Sequence, residues 1–294
     1  LAPYRLKLLV DSAEVFETNQ KVPYFRRVVS MMRTERFGHT ASLLRNGQVL
    51  VAGGDEEGTA ELFDPKGELF LGELMVMGAV RSGHAVTLLG PGSLFLTGGG
   101  DRSAEYYRIG ESRFNLWPNG LMEARRGHSA LVSAEGRLVL VGGDASGTVE
   151  ELNAANGLFW TRLTLGKTVT SATLLANRKV LVLGPEVAGI YATAEGTFAG
   201  LEGLALLERS GQTATELRED KRILVVGGVN RKDELVAEGV VFNPAVLTTE
   251  LDEYPSGSTV SIEGKGYLGE EEVELEVKRE DGKSYEGKNH WLAV

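Results

Sequence analysis

Histidine is the side chain in this sequence best suited to metal or acid–base chemistry, and three of the four histidines share one motif. His39, His84 and His128 each end an Arg-x-Gly-His tetrapeptide, and they stand 45 and 44 residues apart (84 − 39 and 128 − 84). Imidazole is a common metal ligand. Equivalent positions of successive repeats lie apart in space, however. The spacing therefore predicts a local hydrogen-bonding role for each histidine and no metal site.

Arginine and glutamate also recur at fixed places, which brings opposite charges into the same part of each repeat. The recurring basic residues are Arg36, Arg81, Arg125 or Arg126, Lys167 and Arg209. The recurring acidic residues are Glu14, Glu61, Glu105 and Glu151. Repeated opposite charges usually serve a scaffold, so we predict ion pairs within or between repeats and no catalytic residue. Catalysis by these residues is the alternative interpretation.

Composition excludes several kinds of function. The sequence has no cysteine, which excludes disulfides, thiolate metal sites and cysteine nucleophiles. With 31 basic and 41 acidic residues the net charge is −10, so nucleic acid and anionic membranes are disfavoured as partners. No apolar run reaches the ~18 residues of a membrane-spanning helix, and we predict no membrane insertion. We also expect no bound cofactor.

The repeats extend beyond the histidine motif. After each motif an apolar strand ends in a glycine doublet, at Gly53-Gly54, Gly98-Gly99 and Gly142-Gly143. Two weaker copies end at Gly184-Pro185 and Gly227-Gly228, which gives five copies at a period of about 43 residues. Each copy has four predicted strands, and Asn46-Gly47 marks a hairpin turn between the first two. A four-stranded repeat of this length is typical of a β-propeller blade.

A sixth, incomplete copy precedes the five. Ala13-Glu14-Val15-Phe16 has the third-strand pattern of Ala60-Glu61-Leu62-Phe63, and residues 5–10 would form the strand before it. We therefore predict six blades over residues 1–250, the first of them incomplete.

The glycine doublets, the Arg-x-Gly-His motif and the Glu-apolar-aromatic strand resemble the repeats of the kelch family over residues 5–250. The resemblance implies an all-β, kelch-type β-propeller. The galactose-oxidase group of kelch propellers has a copper site with Tyr and His ligands and a cysteine cross-linked to a tyrosine. Because cysteine is absent here, the resemblance implies a propeller without that cofactor.

A second segment follows the repeats. Tyr254-Pro255-Ser256-Gly257-Ser258 is rich in turn formers, and residues 259–263 and 272–278 alternate polar and apolar side chains as half-buried strands do. Residues 255–294 resemble the opening strands of immunoglobulin-like domains. The resemblance implies a partial β-sandwich or strands that pack on the propeller.

The loops between second and third strands lie at one end of every blade and vary between copies. Variable loops on a rigid scaffold commonly carry recognition. The predicted ligand-binding residues are Asp55, Glu56, Glu57, Asp101, Arg102, Asp144, Asn230, Arg231 and Lys232. The sequence thus favours a non-catalytic binding or adhesion module that presents one face to a protein or carbohydrate ligand.

Two other functions stay open. Resemblance to some six-bladed kelch proteins implies a cofactor-free sugar-active enzyme, of isomerase or mutarotase type, whose Arg and Glu residues would converge on one face. An intracellular kelch adaptor is the other alternative. The first residue is Leu1 rather than Met, and we expect an export signal ahead of it. That signal would place the protein at the cell surface, in the periplasm or outside the cell, with a cytoplasmic location as the alternative.

Overall fold

The structure is a computed structural model, and it describes residues 10–18, 21–90, 92–201, 207–219, 221–244, 246–249 and 262–265. The chain divides into two compact units, Leu1–Asn243 and Pro244–Val294. The described ranges contain many β-strands and no α-helix, and they include no helix long and apolar enough to cross a membrane.

The first unit is a succession of antiparallel sheets in chain order. An N-terminal hairpin pairs β1 (Glu14–Glu17) with β2 (Tyr24–Arg27). Sheet 1 contains β3 (Thr40–Leu43), β4 (Val49–Ala52), β5 (Thr59–Asp64) and β6 (Leu69–Val76). Sheet 2 contains β7 (Ala85–Leu89), β8 (Ser93–Thr97), β9 (Ala104–Arg108) and β10 (Phe114–Leu116). Sheet 3 contains β11 (Ser129–Val132), β12 (Leu138–Val141), β13 (Thr148–Asn153) and β14 (Leu158–Thr164).

The last two sheets of this unit follow the same plan. Sheet 4 contains β15 (Ser171–Leu174), β16 (Val180–Gly184), β17 (Val187–Ala192) and β18 (Thr197–Gly200). Sheet 5 contains β19 (Thr213–Glu216), β20 (Ile223–Val226) and β21 (Val240–Phe242). In the second unit, β22 (Val246–Thr249) pairs with β23 (Ile262–Lys265).

The second strand of sheets 1–4 is apolar and buried, and in sheets 2–4 a neighbouring sheet packs on each of its faces. These strands, β4, β8, β12 and β16, are buried along nearly their whole length. Leu50 of sheet 1 shares a core with Leu94 of sheet 2, and Val139 of sheet 3 shares one with Val180 of sheet 4. Similar cores join sheets 2 and 3 and sheets 4 and 5. The described contacts thus link the sheets in chain order, first strand beside first strand, and do not establish a closed ring.

The glycine doublets form the joints between neighbouring sheets. Gly54 N donates to Arg81 O at 2.7 Å, and Gly99 N donates to Arg125 O at 2.8 Å. Both doublets have positive φ, which glycine adopts without steric cost. A Cβ on Gly53 would lie 2.6 Å from Arg81 O, so the backbones of adjacent sheets approach too closely for a side chain. The repeated glycines therefore serve the contact between sheets.

We expect Gly147→Ala to destabilise the protein more than Gly127→Ala by about 2 kcal/mol, the cost of forcing a buried overlap. Both glycines have similar φ, +59° and +67°, so the cost of left-handed backbone is shared. A Cβ on Gly147 would lie 2.0 Å from Lys167 O, whereas one on Gly127 would meet nothing within 4 Å. Urea melts of the two variants measure the difference. Equal midpoints would mean that the joint between sheets 3 and 4 yields freely.

Several predicted elements can be located in the structure. The turn at Asn46-Gly47 closes β3–β4, where Gly47 N donates to Leu44 O at 2.9 Å. The N-terminal third-strand pattern forms β1, whereas residues 5–9 of the predicted strand before it lie outside the described residues. At the other end β23 coincides with the last two residues of the predicted strand 259–263. Residues 259–261 and the predicted strand 272–278 lie outside the described residues.

Candidate functional site

A buried arginine stands at the same end of each of the first three sheets. Arg36 donates through Nη1 to Gly53 O at 3.0 Å and to Thr59 O at 2.8 Å, and its Nη2 reaches Glu61 at 2.8 Å. All of these partners belong to the sheet that follows the arginine. Arg81 pairs with Glu105 at 2.8 Å, and Arg125 pairs with Glu150 at 2.6 Å, in the same manner. These guanidinium groups tie the ends of the second and third strands together.

The paired glutamates are fully used by the scaffold. Besides its arginine, Glu61 accepts from Arg33 N at 2.8 Å, and Glu105 accepts from Gly78 N at 2.8 Å. Glu150 accepts from two backbone N–H groups of the linker, those of Met122 and Glu123. A carboxylate that is buried and bonded at both oxygens is a poor acid or base for a ligand. The predicted ion pairs therefore exist, and each lies within one sheet.

One acidic residue of the predicted series, Glu151, does not pair with the repeated arginine. Glu150, not Glu151, pairs with Arg125. Glu150 lies opposite Leu140 on β12 as Glu61 lies opposite Val51 on β4, so Glu150 is the counterpart of Glu61. Glu151 is buried against the neighbouring sheet, where it binds Arg137 at 2.9 Å and accepts from the Tyr191 hydroxyl at 3.2 Å. Burial and the carboxylate of Glu151 raise the pKa of Tyr191 to about 12. The remaining acidic member, Glu14, is exposed on β1.

Sheet 4 lacks the buried pair altogether. Lys167, predicted to take the arginine's place, is exposed. Val169 occupies that place, since its carbonyl accepts from Gly143 N at 3.3 Å as Arg125 O accepts from Gly99 N. Gly189 stands where the glutamate would be, because Ala188 pairs with Leu183 as Val149 pairs with Val141. Both charges are thus replaced together, which avoids a buried charge without a partner.

The repeated histidines join neighbouring sheets and do not converge. His84 Nε2 lies 3.0 Å from Thr40 Oγ1, and His128 Nε2 lies 2.8 Å from Thr97 Oγ1. Burial and the nearby arginines lower the pKa of His84 to about 4 and that of His128 to about 3. Burial also lowers the pKa of His39. Within the described ranges no three His, Cys, Asp or Glu side chains come together as a metal site.

The predicted loop residues fall into two groups. Asp55 is buried, accepts from Thr59 N at 2.9 Å and lies 3.3 Å from Arg36, and Asp144 does the same for Thr148 and Arg125. These two carboxylates are engaged in holding their own loops. The exposed group comprises Glu56, Glu57, Asp101, Arg102, Arg231 and Lys232. Within it, Arg102 Nε donates to Leu121 O at 2.7 Å, and Asp101 accepts from Ser103 N at 3.0 Å.

The loop between β20 and β21 borders a cavity of about 410 Å³. Asn230, Arg231 and Lys232 line it, so the structure brings the three predicted residues of this loop together. Arg231 reaches across to sheet 4 and its linker, where Nη2 donates to Glu208 at 2.5 Å and Nε to Pro185 O at 3.0 Å. Pro185 stands where other sheets have the second glycine of the doublet. The altered end of sheet 4 therefore shapes this cavity.

Five further lining residues escaped the sequence-based prediction: Glu208, Glu234, Leu235, Val236 and Glu238. They come from the linker before sheet 5 and from the approach to β21, which have no common motif. The length of the loop is the signal that pointed to it, because Glu238 follows Gly227 by 11 residues (238 − 227) whereas Thr59 follows Gly53 by 6 (59 − 53).

Comparisons with known proteins identify the architecture. No protein-family model matches the sequence, and no curated protein matches it. Among solved structures, a fungal alcohol oxidase of the AA5 family in complex with copper superposes with a TM-score of 0.61 at 16% identity, covering 76% of this chain and 55% of the oxidase. YjhT superposes with a TM-score of 0.54 at 11% identity, covering 86% of this chain and 91% of that one.

The fold is propeller-like. At these identities the likeness shows the all-β architecture and nothing of the activity. The chain also spans only about half the length of the oxidase.

A copper site of the oxidase type does not fit the residues of this propeller-like chain. The cross-linked cysteine has no counterpart, because the sequence contains no cysteine. Two of the four histidines, His84 and His128, are buried between sheets with Nε2 bound to a threonine. His39 and His128 stand on different sheets, each beside its own arginine. We therefore assign no step to copper.

Proposed function

We propose that residues 1–250 form a kelch-type propeller of six blades and that residues 255–294 begin an immunoglobulin-like segment. Five sheets in succession share apolar cores, and the hairpin β1–β2 supplies the third and fourth strands of a sixth blade by its sequence pattern. Phe16 and Phe25 of that hairpin remain 50% and 68% exposed, which suits a further sheet packed beside them. An experimental structure with a seventh sheet, or without contact between sheet 5 and the hairpin, would refute this proposal.

We further propose that the protein is a non-catalytic binding module for a protein or carbohydrate ligand. The observation that carries this proposal is the cavity bordered by Asn230, Arg231 and Lys232 at the loop end of the sheets. Ligand sites are concave and hold a few polar groups on a fixed frame. Here the frame is supplied by Arg209, which is buried and donates to Gly227 O and Glu238 O at the base of the loop, while the loop tip is exposed. The function thus resides in the tips.

A double variant tests the site. Arg231→Ala with Lys232→Ala is expected to reduce binding of the labelled protein to glycan microarrays or displayed peptide libraries by about tenfold or more, as loss of a central contact does. Arg178→Ala with Lys179→Ala is the matched control, because these exposed residues form the turn between β15 and β16 at the opposite end. Equal loss in both variants, or in neither, would remove the cavity from the proposal.

A cofactor-free isomerase or mutarotase acting on sugars is the second candidate. An alcohol oxidase has a propeller-like fold too, so the fold is compatible with catalysis. Against it stand the Arg–Glu pairs, which are buried and bonded within their own sheets. Exchange spectroscopy on reducing sugars distinguishes the two functions. Interconversion of anomers faster than in buffer, abolished by the double variant above and not by its control, would establish the enzyme instead.

A further inference from the structure

Among the described residues sheet 5 has three strands, whereas each of the four sheets before it has four. In sheets 1–4 a fourth strand pairs with the third, as β6 does with β5 and β14 with β13. Among the residues that the structure describes, no strand pairs with β21 on the side away from β20. The next strand in sequence, β22, pairs with β23 in the second unit. Within the described ranges the outer edge of β21 is therefore open.

The open edge has the composition of a strand that accepts a partner. β21 reads Val-Val-Phe, and Val241 is 46% exposed. Every second residue of an antiparallel edge strand directs its N–H and C=O away from the sheet. Such edges bind extended peptides through main-chain hydrogen bonds, while pockets along the edge select the side chains.

The cavity lies where an added strand would end. Glu238 is the counterpart of Thr59 and Thr148, because all three carbonyls accept from the buried arginine of their sheet. In sheets 1 and 3 the last residue of the fourth strand lies opposite this position, Val76 opposite Thr59 and Thr164 opposite Thr148. A strand added antiparallel to β21 would therefore place its C-terminal end beside Glu238 and the cavity.

The cavity favours a basic residue at that end. Its lining holds three glutamates, one arginine and one lysine, a net charge of −1 (2 − 3). Arg231 is engaged by Glu208 at 2.5 Å, and Glu234 accepts from Asn230 Nδ2 at 2.9 Å. Glu238 is exposed, and the apolar Leu235 beside it is 88% exposed. The lining thus offers carboxylate and apolar surface together, and none of its described residues has an aromatic ring on which a sugar would stack.

We infer that sheet 5 binds an extended peptide of a partner protein, which adds as its fourth strand antiparallel to β21. The peptide carries alternating β-branched or aromatic residues and ends in an apolar residue followed by a lysine or arginine. This inference rests on the proposed binding function, because it uses the same cavity. It narrows the ligand from protein or carbohydrate to a peptide of defined direction.

Two synthetic peptides test the direction of binding to the full chain. The forward peptide is acetyl-Thr-Val-Tyr-Val-Thr-Leu-Lys-amide, and the control has the same residues in reverse order. Fluorescence anisotropy is expected to show the forward peptide binding at least about tenfold more tightly. Glu238→Lys should abolish the preference. Glu219→Lys, the same charge change in the turn between β19 and β20 at the opposite end of sheet 5, should retain it.

Hydrogen exchange supplies the second measurement. The amide within Val240–Phe242 that points away from β20 is expected to exchange more slowly when the forward peptide is bound. Equal affinity of both peptides, or binding without this protection, would overturn the inference. Protection of β21 already complete in the free protein would also overturn it, since another part of the chain would then occupy the edge. If any of these contrary results appears while the Arg231→Ala/Lys232→Ala variant still loses binding to the glycan array or peptide library, the peptide inference fails and the proposed binding function stands.

Discussion

Replacing Arg125 by alanine is expected to lower the free energy of unfolding by about 3–5 kcal/mol, the usual cost of removing one partner of a buried ion pair. The Arg125 side chain has no solvent exposure and bonds to Gly142 O, Thr148 and Glu150. Its loss leaves the Glu150 carboxylate, which is also inaccessible to solvent, with backbone donors alone. Urea unfolding at neutral pH measures the change.

Arg126→Ala is the matched control, since Arg126 is the next residue, is exposed and donates to Ser82 O at 2.9 Å. Its loss should cost under ~1 kcal/mol. A further variant, Arg125→Met with Glu150→Leu, should recover much of the loss, because apolar replacement of a whole buried pair is often neutral. Sheet 4, with Val169 and Gly189 at these places, is a natural precedent. An Arg125→Ala protein as stable as the Arg126→Ala protein would contradict a structural role for the pair.

Acidification below pH 6.5 is expected to destabilise the protein by roughly 2 kcal/mol per buried histidine at pH 5. The pKa values of His84 and His128 are about 4 and about 3 in the folded chain, against 6.5 for the free side chain. Between the folded and unfolded pKa values, both histidines are protonated in the unfolded state but neutral in the folded state. Stability is therefore complete above pH 6.5 and falls until the pH reaches the folded pKa values. Urea melts at pH 7.5 and pH 5 measure the slope.

The structure explains why the two histidines stay neutral in the folded state. An imidazolium needs acceptors for two N–H groups, and Nδ1 of both rings has no hydrogen-bond partner among the described residues. Arg81 and Arg125 add unfavourable charge. The double variant His84→Gln with His128→Gln is the control, because sheet 5 carries the nearly buried Gln212 at the matching place. It should lose most of the extra slope. The same slope in both proteins would assign the acid sensitivity to carboxylates.

Much of the fold followed from short-range pattern. Apolar runs ending in glycine doublets located the second strands, and Glu-apolar-aromatic segments located the third strands. The ion pairs followed from charges that recur in register. The Glu-apolar pattern alone did not distinguish the adjacent Glu150 and Glu151, which point to opposite faces of β13. The spacing from the glycine doublet distinguishes them, since Glu150 follows Gly142 by eight residues as Glu61 follows Gly53. The sequence also did not show that Val169 takes the arginine's place before sheet 4, because the basic residue Lys167 stands two positions earlier.

The candidate site was predicted only in part. Asn230, Arg231 and Lys232 were found because their loop is long and polar, but Glu208 and Glu238 approach them through tertiary packing. Asp55 and Asp144 have the residue type of a ligand contact, yet their position beside a buried guanidinium gives them another role. No local pattern distinguishes an aspartate that anchors a loop from one that faces a ligand.

The arginine before sheet 2 and the arginine before sheet 3 each act on two sheets at once, which couples the unfolding of neighbouring sheets. Its side chain closes the sheet that follows, while its carbonyl accepts the glycine doublet of the sheet before, as at Arg81 and Arg125. Unfolding of one sheet would release the carbonyl on which its predecessor depends, so neighbouring sheets are coupled as the units of a linear array are. Sheet 4 breaks this rule, because Val169 offers the carbonyl without the guanidinium. We therefore expect partial unfolding to separate sheet 4 from sheet 3 first, while sheets 1–3 unfold together.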